Sequence, residues 1–280
     1  MITLGLTTWS EHQSLLGQVK PLELSQYAAF FPVVEVDTFF YALPAKETIQ
    51  AWQAQVPTSF QFITKVPKII TGHQREVSSQ AIKKSIVAYQ EVLAPLKATK
   101  QVKAVLLQFP PYFHPQAKSW HYLRYLRQAL GDLPLALELR HQSWYHGEMA
   151  TRLVDFCRQQ GFILVSAQES QTSGNSVPFN LEVTSSDLAI LRLHGLNKAG
   201  WQNQGPDWRN QRTLYRYSPA EIKSLAQQVQ NLTSKVREVC VIFNNNSGGD
   251  AADNALMLQK ELGVEFANLA PMPPRQLDLF

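Results

Sequence analysis

At 280 residues, with 45% hydrophobic and 17% charged residues, the chain has the composition of a globular protein with a core of useful size, which excludes an intrinsically disordered polypeptide. A formal net charge of +4 permits a nucleic-acid or phosphate partner without demanding one, because the charge is spread along the chain. The two cysteines, Cys157 and Cys240, have no CxxC neighbour, so neither a disulfide framework nor a cysteine metal site is expected.

The opening Met1-Ile2-Thr3-Leu4-Gly5 enters a strand at once, without the basic and apolar regions of a signal peptide. No apolar stretch is long enough to span a bilayer, so the expectation is a cytoplasmic protein with no membrane partner. Short apolar runs predict strands over residues 2–7, 33–37, 60–65, 103–109, 135–140, 162–166, 188–194 and 239–244. Helical periodicity predicts helices over 76–100, 119–130, 148–160, 219–236 and 250–262. The polar stretch 168–186 reads as a surface excursion. Alternating strands and helices imply parallel pairing with right-handed crossovers, and eight such units close into a (β/α)8 TIM-type barrel. The competing open doubly wound sheet carries a glycine-rich phosphate loop after its first strand, and Gly5-Leu6-Thr7-Thr8-Trp9 is not that pattern. The expected organisation is α/β, with one barrel domain over 1–268 and a proline-rich tail over 269–280.

Side chains two apart on a strand share a face. Leu135, Leu137 and Leu139 suit packing under helices, which turns Ala136, Glu138 and Arg140 inward. The same phase puts Glu35 and Asp37 with Val33, Lys65 with Ile63, and Gln108 with Leu106. It also puts Arg192 and His194 with Ile190, and Asn244 with Ile242. Each set carries its polar members toward the C-terminal end of the strand, where barrel enzymes build their active sites. An ion-pair network that only fills the barrel is the competing reading, but burying charges often gives no net gain over apolar packing.

Several phrases carry a family resemblance: Val34-Glu35-Val36-Asp37-Thr38-Phe39-Phe40-Tyr41, Gln108-Phe109-Pro110-Pro111, and Glu138-Leu139-Arg140-His141-Gln142-Ser143-Trp144. Arg192-Leu193-His194-Gly195 and Phe243-Asn244-Asn245, followed by Ala251 and Asn254-Ala255, continue it. Together they resemble the YecE-like family, domain of unknown function seventy-two, in order and up to about Leu262. The resemblance implies a TIM-type barrel and no established activity. It marks Glu35, Lys65, Gln108, Glu138, Arg140, His141, Trp144, Arg192, His194, Asn244 and Asn245 as motif positions. Asp37 stands where the family usually shows asparagine, Phe39 where it shows threonine, and the opening follows its Gly-Thr-Ser-Gly-Trp pattern only loosely.

The chemistry expected of these residues is that of an enzyme, hydrolase or lyase in type, acting on an anionic substrate. Arg140 and Arg192 clamp a phosphate or carboxylate, and Glu35 or Glu138 serves as general base. His194 acts as general acid or proton shuttle, and Lys65 stabilises negative charge or forms a Schiff base. Asp37, Gln108, His141, Trp144, Asn244 and Asn245 complete the substrate-binding set. Glu35, Asp37, Glu138, His141 and His194 could supply metal ligands, but no HxH, HExxH or clustered-carboxylate spacing is present, so no metal site is assigned and no cofactor is implied. After the seventh strand, Lys198, Trp201, Trp208, Arg209, Arg212, Tyr215, Arg216 and Tyr217 mix cations with aromatics. They form either a surface that stacks bases and holds phosphates or a lid over the pocket.

The chain ends in Pro271-Met272-Pro273-Pro274-Arg275, a stiff spacer, and then Gln276-Leu277-Asp278-Leu279-Phe280. This terminal peptide resembles the motif by which bacterial DNA polymerases and repair proteins bind the β sliding clamp, matching at all five positions. Its leucines and phenylalanine would plug apolar subsites on that partner. The expectation is a barrel enzyme or nucleic-acid-processing factor recruited to DNA by the clamp. Two alternatives stay open: a metabolic enzyme for a small phosphorylated or carboxylated substrate whose tail seals its own barrel, and a clamp-associated binding module without catalysis.

Overall fold

In the computed structural model the described residues are 1–74, 76–172, 176–202, 205–206 and 208–273, with the side chains of residues 208 and 209 not among them. The peptide 276–280 therefore lies outside the described residues. The order of elements is β1 (Ile2–Thr7), α1 (Leu24–Tyr27), β2 (Val33–Val36), α2 (Lys46–Ala54), β3 (Gln61–Lys65), α3 (Ser79–Ala98), β4 (Val102–Gln108) and α4 (Ala117–Ala129). It continues with β5 (Leu135–Glu138), α5 (Glu148–Gln160), β6 (Ile163–Leu164), β7 (Ser166–Gln168), β8 (Leu188–Leu193) and α6 (Lys198–Gln202). The last elements are α7 (Trp208–Arg212), α8 (Pro219–Leu232), β9 (Glu238–Phe243) and α9 (Asp250–Leu262).

Every ladder is parallel, and the sheet runs β6-β5-β4-β3-β2-β1-β9-β8-β7. Its two end strands are consecutive in the chain and separated only by Val165, so they are halves of one stave. The first half pairs with β5 and the second with β8, which brings the edges together into an eight-stave TIM-type barrel. Closure leaves no strand edge to protect. Gly5 is where β1 comes closest to β2: a methyl group there would sit 2.3 Å from the Val33 carbonyl oxygen.

Local chemistry sets the helix boundaries. The helix expected from residue 76 begins at Ser79, because Ser78 accepts a hydrogen bond from the Ala81 N–H (3.2 Å) and Glu76 holds φ at +55°. A Ser218–Glu221 capping box followed by Pro219 opens α8, while Gly161 and Gly263 in the left-handed region end α5 and α9 at the expected residues. No helix among the described residues joins β7 to β8. The polar stretch there is not simply a surface excursion, since Glu169, Ser170, Ser176 and Val177 are buried. No helix of the described residues is long and apolar enough to cross a membrane.

The alternation of each strand sorts its side chains as expected. Leu135, Leu137 and Leu139 join the apolar layer between strands and helices, while Val33, Ile63, Leu106, Ala136 and Ile190 fill the barrel interior. Polar groups are not confined to one end, however. At the N-terminal end Lys103 donates to Gln61 (2.8 Å) and pairs with Glu238, which also accepts from Thr3 (2.6 Å). A cavity of about 740 Å³ lies beside this small cluster at the N-terminal end, and a larger one opens at the C-terminal mouth.

Candidate functional site

Three long polar side chains cross the barrel just below its mouth. Arg192, on β8, donates through Nε to Glu35 Oε2 (2.7 Å) and through Nη2 to Glu35 Oε1, while its Nη1 pairs with Glu138. All three are essentially fully buried. A guanidinium is suited to this position because its forked donors reach two carboxylates at once. Burial pushes the Glu35 carboxyl up, and the Arg192 charge only partly opposes it. At Glu138 burial acts in the same sense, yet Arg192, His194 and Arg140 together hold its pKa well below the usual carboxylate range.

Glu138 is the hub of a wider network. It accepts from Gln108 Nε2 (2.6 Å) and Arg140 Nη1 (2.9 Å). Arg140 in turn pairs with Glu169 (2.5 Å), whose other oxygen accepts from the Val177 N–H (2.7 Å). Glu169 escaped assignment from the sequence, although Ile163, Val165, Ala167 and Glu169 continue one phase. The expected strand ended at residue 166, before that phase reached it.

His194 stands between Arg140, whose Nη1 lies 3.2 Å from Nε2, and the Asn244 carboxamide, 2.9 Å from Nδ1. A guanidinium can only donate, so Nε2 accepts and Nδ1 carries the proton in the neutral ring; the carboxamide oxygen is then the group that meets Nδ1. The residue that follows must be glycine. Gly195 holds φ at +87°, and a methyl group there would lie 2.5 Å from Tyr215 Cβ. Its N–H donates to the buried Tyr217 hydroxyl (3.0 Å), which donates to Gln168 (2.9 Å) and ties the lid segment to the sheet.

The mouth is an open cavity of about 1050 Å³. Its lining includes Thr7, Thr8, Asp37, Lys65, Gln108, Arg140, Arg192, His194 and Asn244, which reach it from the ends of seven staves. Lys65 lies 3.7 Å from Asp37 and 4.6 Å from the centre of the Phe40 ring. Across the opening, Trp201 lies between the guanidinium groups of Arg140 (5.3 Å) and Arg212 (4.7 Å). Gly200 packs so closely on the backbone that a methyl group would meet Gln211 O at 2.1 Å. In the segment 198–217, Trp201 lies over the pocket, and Arg216 turns outward to pair with Asp250 and Asp253. The side chains of residues 208 and 209 lie outside the described residues.

Other expected site residues lie elsewhere. Glu35 and Glu138 do not line the cavity; they sit behind the arginines they neutralise. The His141 ring accepts from the Ser143 N–H (3.2 Å) and caps its own short turn. Trp144 is fully buried in an aromatic stack and donates to Phe113 O (2.7 Å). Asn245 is also buried, donating to Tyr215 O (2.8 Å) and Asn254 (2.9 Å), so it braces the lid from behind. Among the described residues no group of three or more His, Cys, Asp or Glu side chains is arranged to hold a metal ion.

Two buried histidines give the molecule an acid-sensitive window. Burial lowers both to about 4: His12, whose Nε2 bonds to Thr7 O (3.0 Å), and His194, where Glu138 opposes the shift and Arg140 and Arg192 reinforce it. Because the folded pKa lies below the unfolded one, the unfolded chain takes up protons that the native state refuses. The stabilisation is complete above about pH 6.5 and is lost as pH falls toward 4, on the order of 3 kcal/mol for each histidine. Urea unfolding between pH 7 and 4.5 should show this decline, with a shallower slope in His194→Gln. Equal slopes in the two proteins would remove His194 from the explanation.

Comparison with known proteins matches this architecture. The chain is 37% identical to UPF0759 protein YunF of Bacillus subtilis over 285 residues, covering all of both chains. A crystal structure of a DUF72 family protein from Enterococcus faecalis V583 is similar with a TM-score of 0.91 at 40% identity, covering 99% of this chain and 100% of that one. A DUF72 family protein from Thermotoga maritima MSB8 is similar with a TM-score of 0.78 at 29% identity, over 94% and 100%. A family profile described as "Protein of unknown function DUF72" matches residues 3–277, and the chain belongs to that family.

Proposed function

We propose that the barrel mouth binds an organic anion bearing a phosphate or carboxylate and transfers a proton on it, in a hydrolysis or elimination. The observation that carries this reading is the layering of charge. Among the described residues, Lys65, Arg140, Arg192 and Arg212 line the cavity against Glu11 and Asp37, while Glu35, Glu138 and Glu169 lie behind the arginines. Carboxylates in that second position hold the guanidinium groups rigid and place the cationic groups nearer the ligand than their counter-charges. Glu35 and Glu138 are thus positioning residues in this reading, and neutral His194 accepts a proton at Nε2 once the ligand draws the Arg140 donor away from it. Calorimetric titration with inorganic pyrophosphate tests the binding half. Saturable binding that weakens about tenfold or more in Lys65→Met and Arg140→Met, and weakens as salt rises, is expected. Identical heats in wild type and both variants would remove the anion site.

The second half of the proposal concerns recruitment. Residues 276–280 match the clamp-binding motif at every position, behind a proline spacer. The expected result is binding of purified β clamp with a Kd of roughly micromolar order, lost on deletion of 276–280. Absent or unchanged binding would leave the barrel as a small-molecule enzyme with no link to DNA.

A further inference from the structure

The polar groups around the mouth are unevenly satisfied. On the side built by β4 to β9, Gln108, Glu138, Arg140, Glu169, Arg192, His194 and Asn244 form one continuous hydrogen-bonded and ion-paired set. Buried atoms without a hydrogen-bond partner among the described residues occur on that side at Glu169 Oε2 and Trp201 Nε1, and they recur at the ends of β1 and β2. Thr8 Oγ1 and Asp37 Oδ1 are buried without a hydrogen-bond partner among the described residues. The Lys65 ammonium comes no nearer to Asp37 than 3.7 Å, too far for a hydrogen bond. Thr8, Asp37 and Lys65 line the same cavity. Buried polar atoms are almost always paired, so a cluster of exceptions at a cavity wall marks where a ligand supplies the missing partners.

The backbone adds an independent sign. Thr8 holds φ at +61°, a conformation that a β-branched residue adopts at a cost of order 1 kcal/mol or more. Its N–H is satisfied by Glu35 O (2.8 Å), so the conformation is fixed while its hydroxyl remains unpaired.

The chemistry of the corner selects the ligand group. Asp37 accepts, Lys65 donates, and a single oxygen about 2.7–2.9 Å from each spans their 3.7 Å separation. That oxygen must donate to a carboxylate and accept from an ammonium, which is the property of a hydroxyl. Thr8 Oγ1, in the wall of the same cavity, both donates and accepts and so suits a second hydroxyl. We infer that Thr8, Asp37 and Lys65 form a diol-recognising subsite and that the ligand is a sugar phosphate, its anionic end toward Arg140 and its hydroxyls in this corner. This inference rests on the anion site proposed above and adds the class of ligand.

The test compares sugar phosphates with alkyl phosphates of the same length. Ribose 5-phosphate, glucose 6-phosphate and fructose 6-phosphate are titrated calorimetrically into the full chain beside n-pentyl and n-hexyl phosphate. At least one sugar phosphate should bind about tenfold or more tightly than its alkyl counterpart. Asp37→Ala should abolish that preference while binding the alkyl phosphates no more weakly than wild type. Thr8→Gly removes the hydroxyl and relieves the backbone, so it should reduce the preference without lowering the unfolding midpoint. Equal affinity for sugar and alkyl phosphates in wild type would overturn the diol subsite and leave the anion site standing. Binding of neither class would overturn both. A preference that survives Asp37→Ala would place the hydroxyls elsewhere and overturn this assignment.

Discussion

Replacing Arg192 with methionine is expected to lower the free energy of unfolding at pH 7 by about 3–5 kcal/mol, a large fraction of the stability of a single domain. The substitution preserves much of the side-chain volume and removes the cation that, among the described residues, Glu35 contacts by hydrogen bonds, leaving a fully buried carboxylate against Thr7 Oγ1 at 3.4 Å. Glu138 keeps Arg140 and Gln108 and is affected less. The penalty should be smaller at pH 5 than at pH 8, because Glu35, already pushed up by burial, escapes it by taking a proton. Adding Glu35→Gln to the methionine variant should recover a substantial part of the loss, and a double-mutant cycle by urea unfolding measures the coupling. A loss below about 1 kcal/mol would mean that Arg192 is not the counter-ion on which the barrel's upper layer depends.

Truncating Trp144 to alanine should cost about 3–5 kcal/mol of stability and leave pyrophosphate affinity unchanged. Its indole packs edge-on against Trp120, with ring centres 4.8 Å apart, and stacks on Phe113 at 5.8 Å. The stack continues from Phe113 to Phe109 at 4.1 Å and from Trp120 to Phe156 at 4.7 Å. None of this touches the cavity except through the backbone turn that carries Phe109, Pro110 and Pro111. Chemical denaturation together with the anion titration separates the two effects. A normal midpoint with lost binding would return Trp144 to the ligand site.

Trp144 also shows how far the sequence could be read. Barrel architecture and the inward phase were legible because strand alternation is a local property. Leu135, Leu137 and Leu139 could face only the helices once Glu138 and Arg140 faced in. A motif position does not say why a residue is there, and Trp144, His141 and Asn245 serve packing, a local cap and the lid brace respectively. Glu35 and Glu138 were located correctly on the inward face, but alternation cannot reveal that Arg192, more than fifty residues away from either, commits them both to ion pairs. Glu169 was missed because its strand is interrupted at Val165, so the short apolar run seemed to end before the phase reached a charge. The unsatisfied corner at Thr8 and Asp37 depends on atoms that find no partner, which no pattern of residue types encodes.

A cation-lined mouth backed by buried carboxylates is tested most directly by a crystal grown with tungstate, a heavy and readily located mimic of phosphate. The expected result is an oxyanion inside the mouth, within hydrogen-bonding distance of Arg140 and beside His194, with Glu35 and Glu138 still paired to Arg192 beneath it. Tungstate confined to the outer surface, with the mouth holding none at a concentration that saturates pyrophosphate binding, would contradict the account.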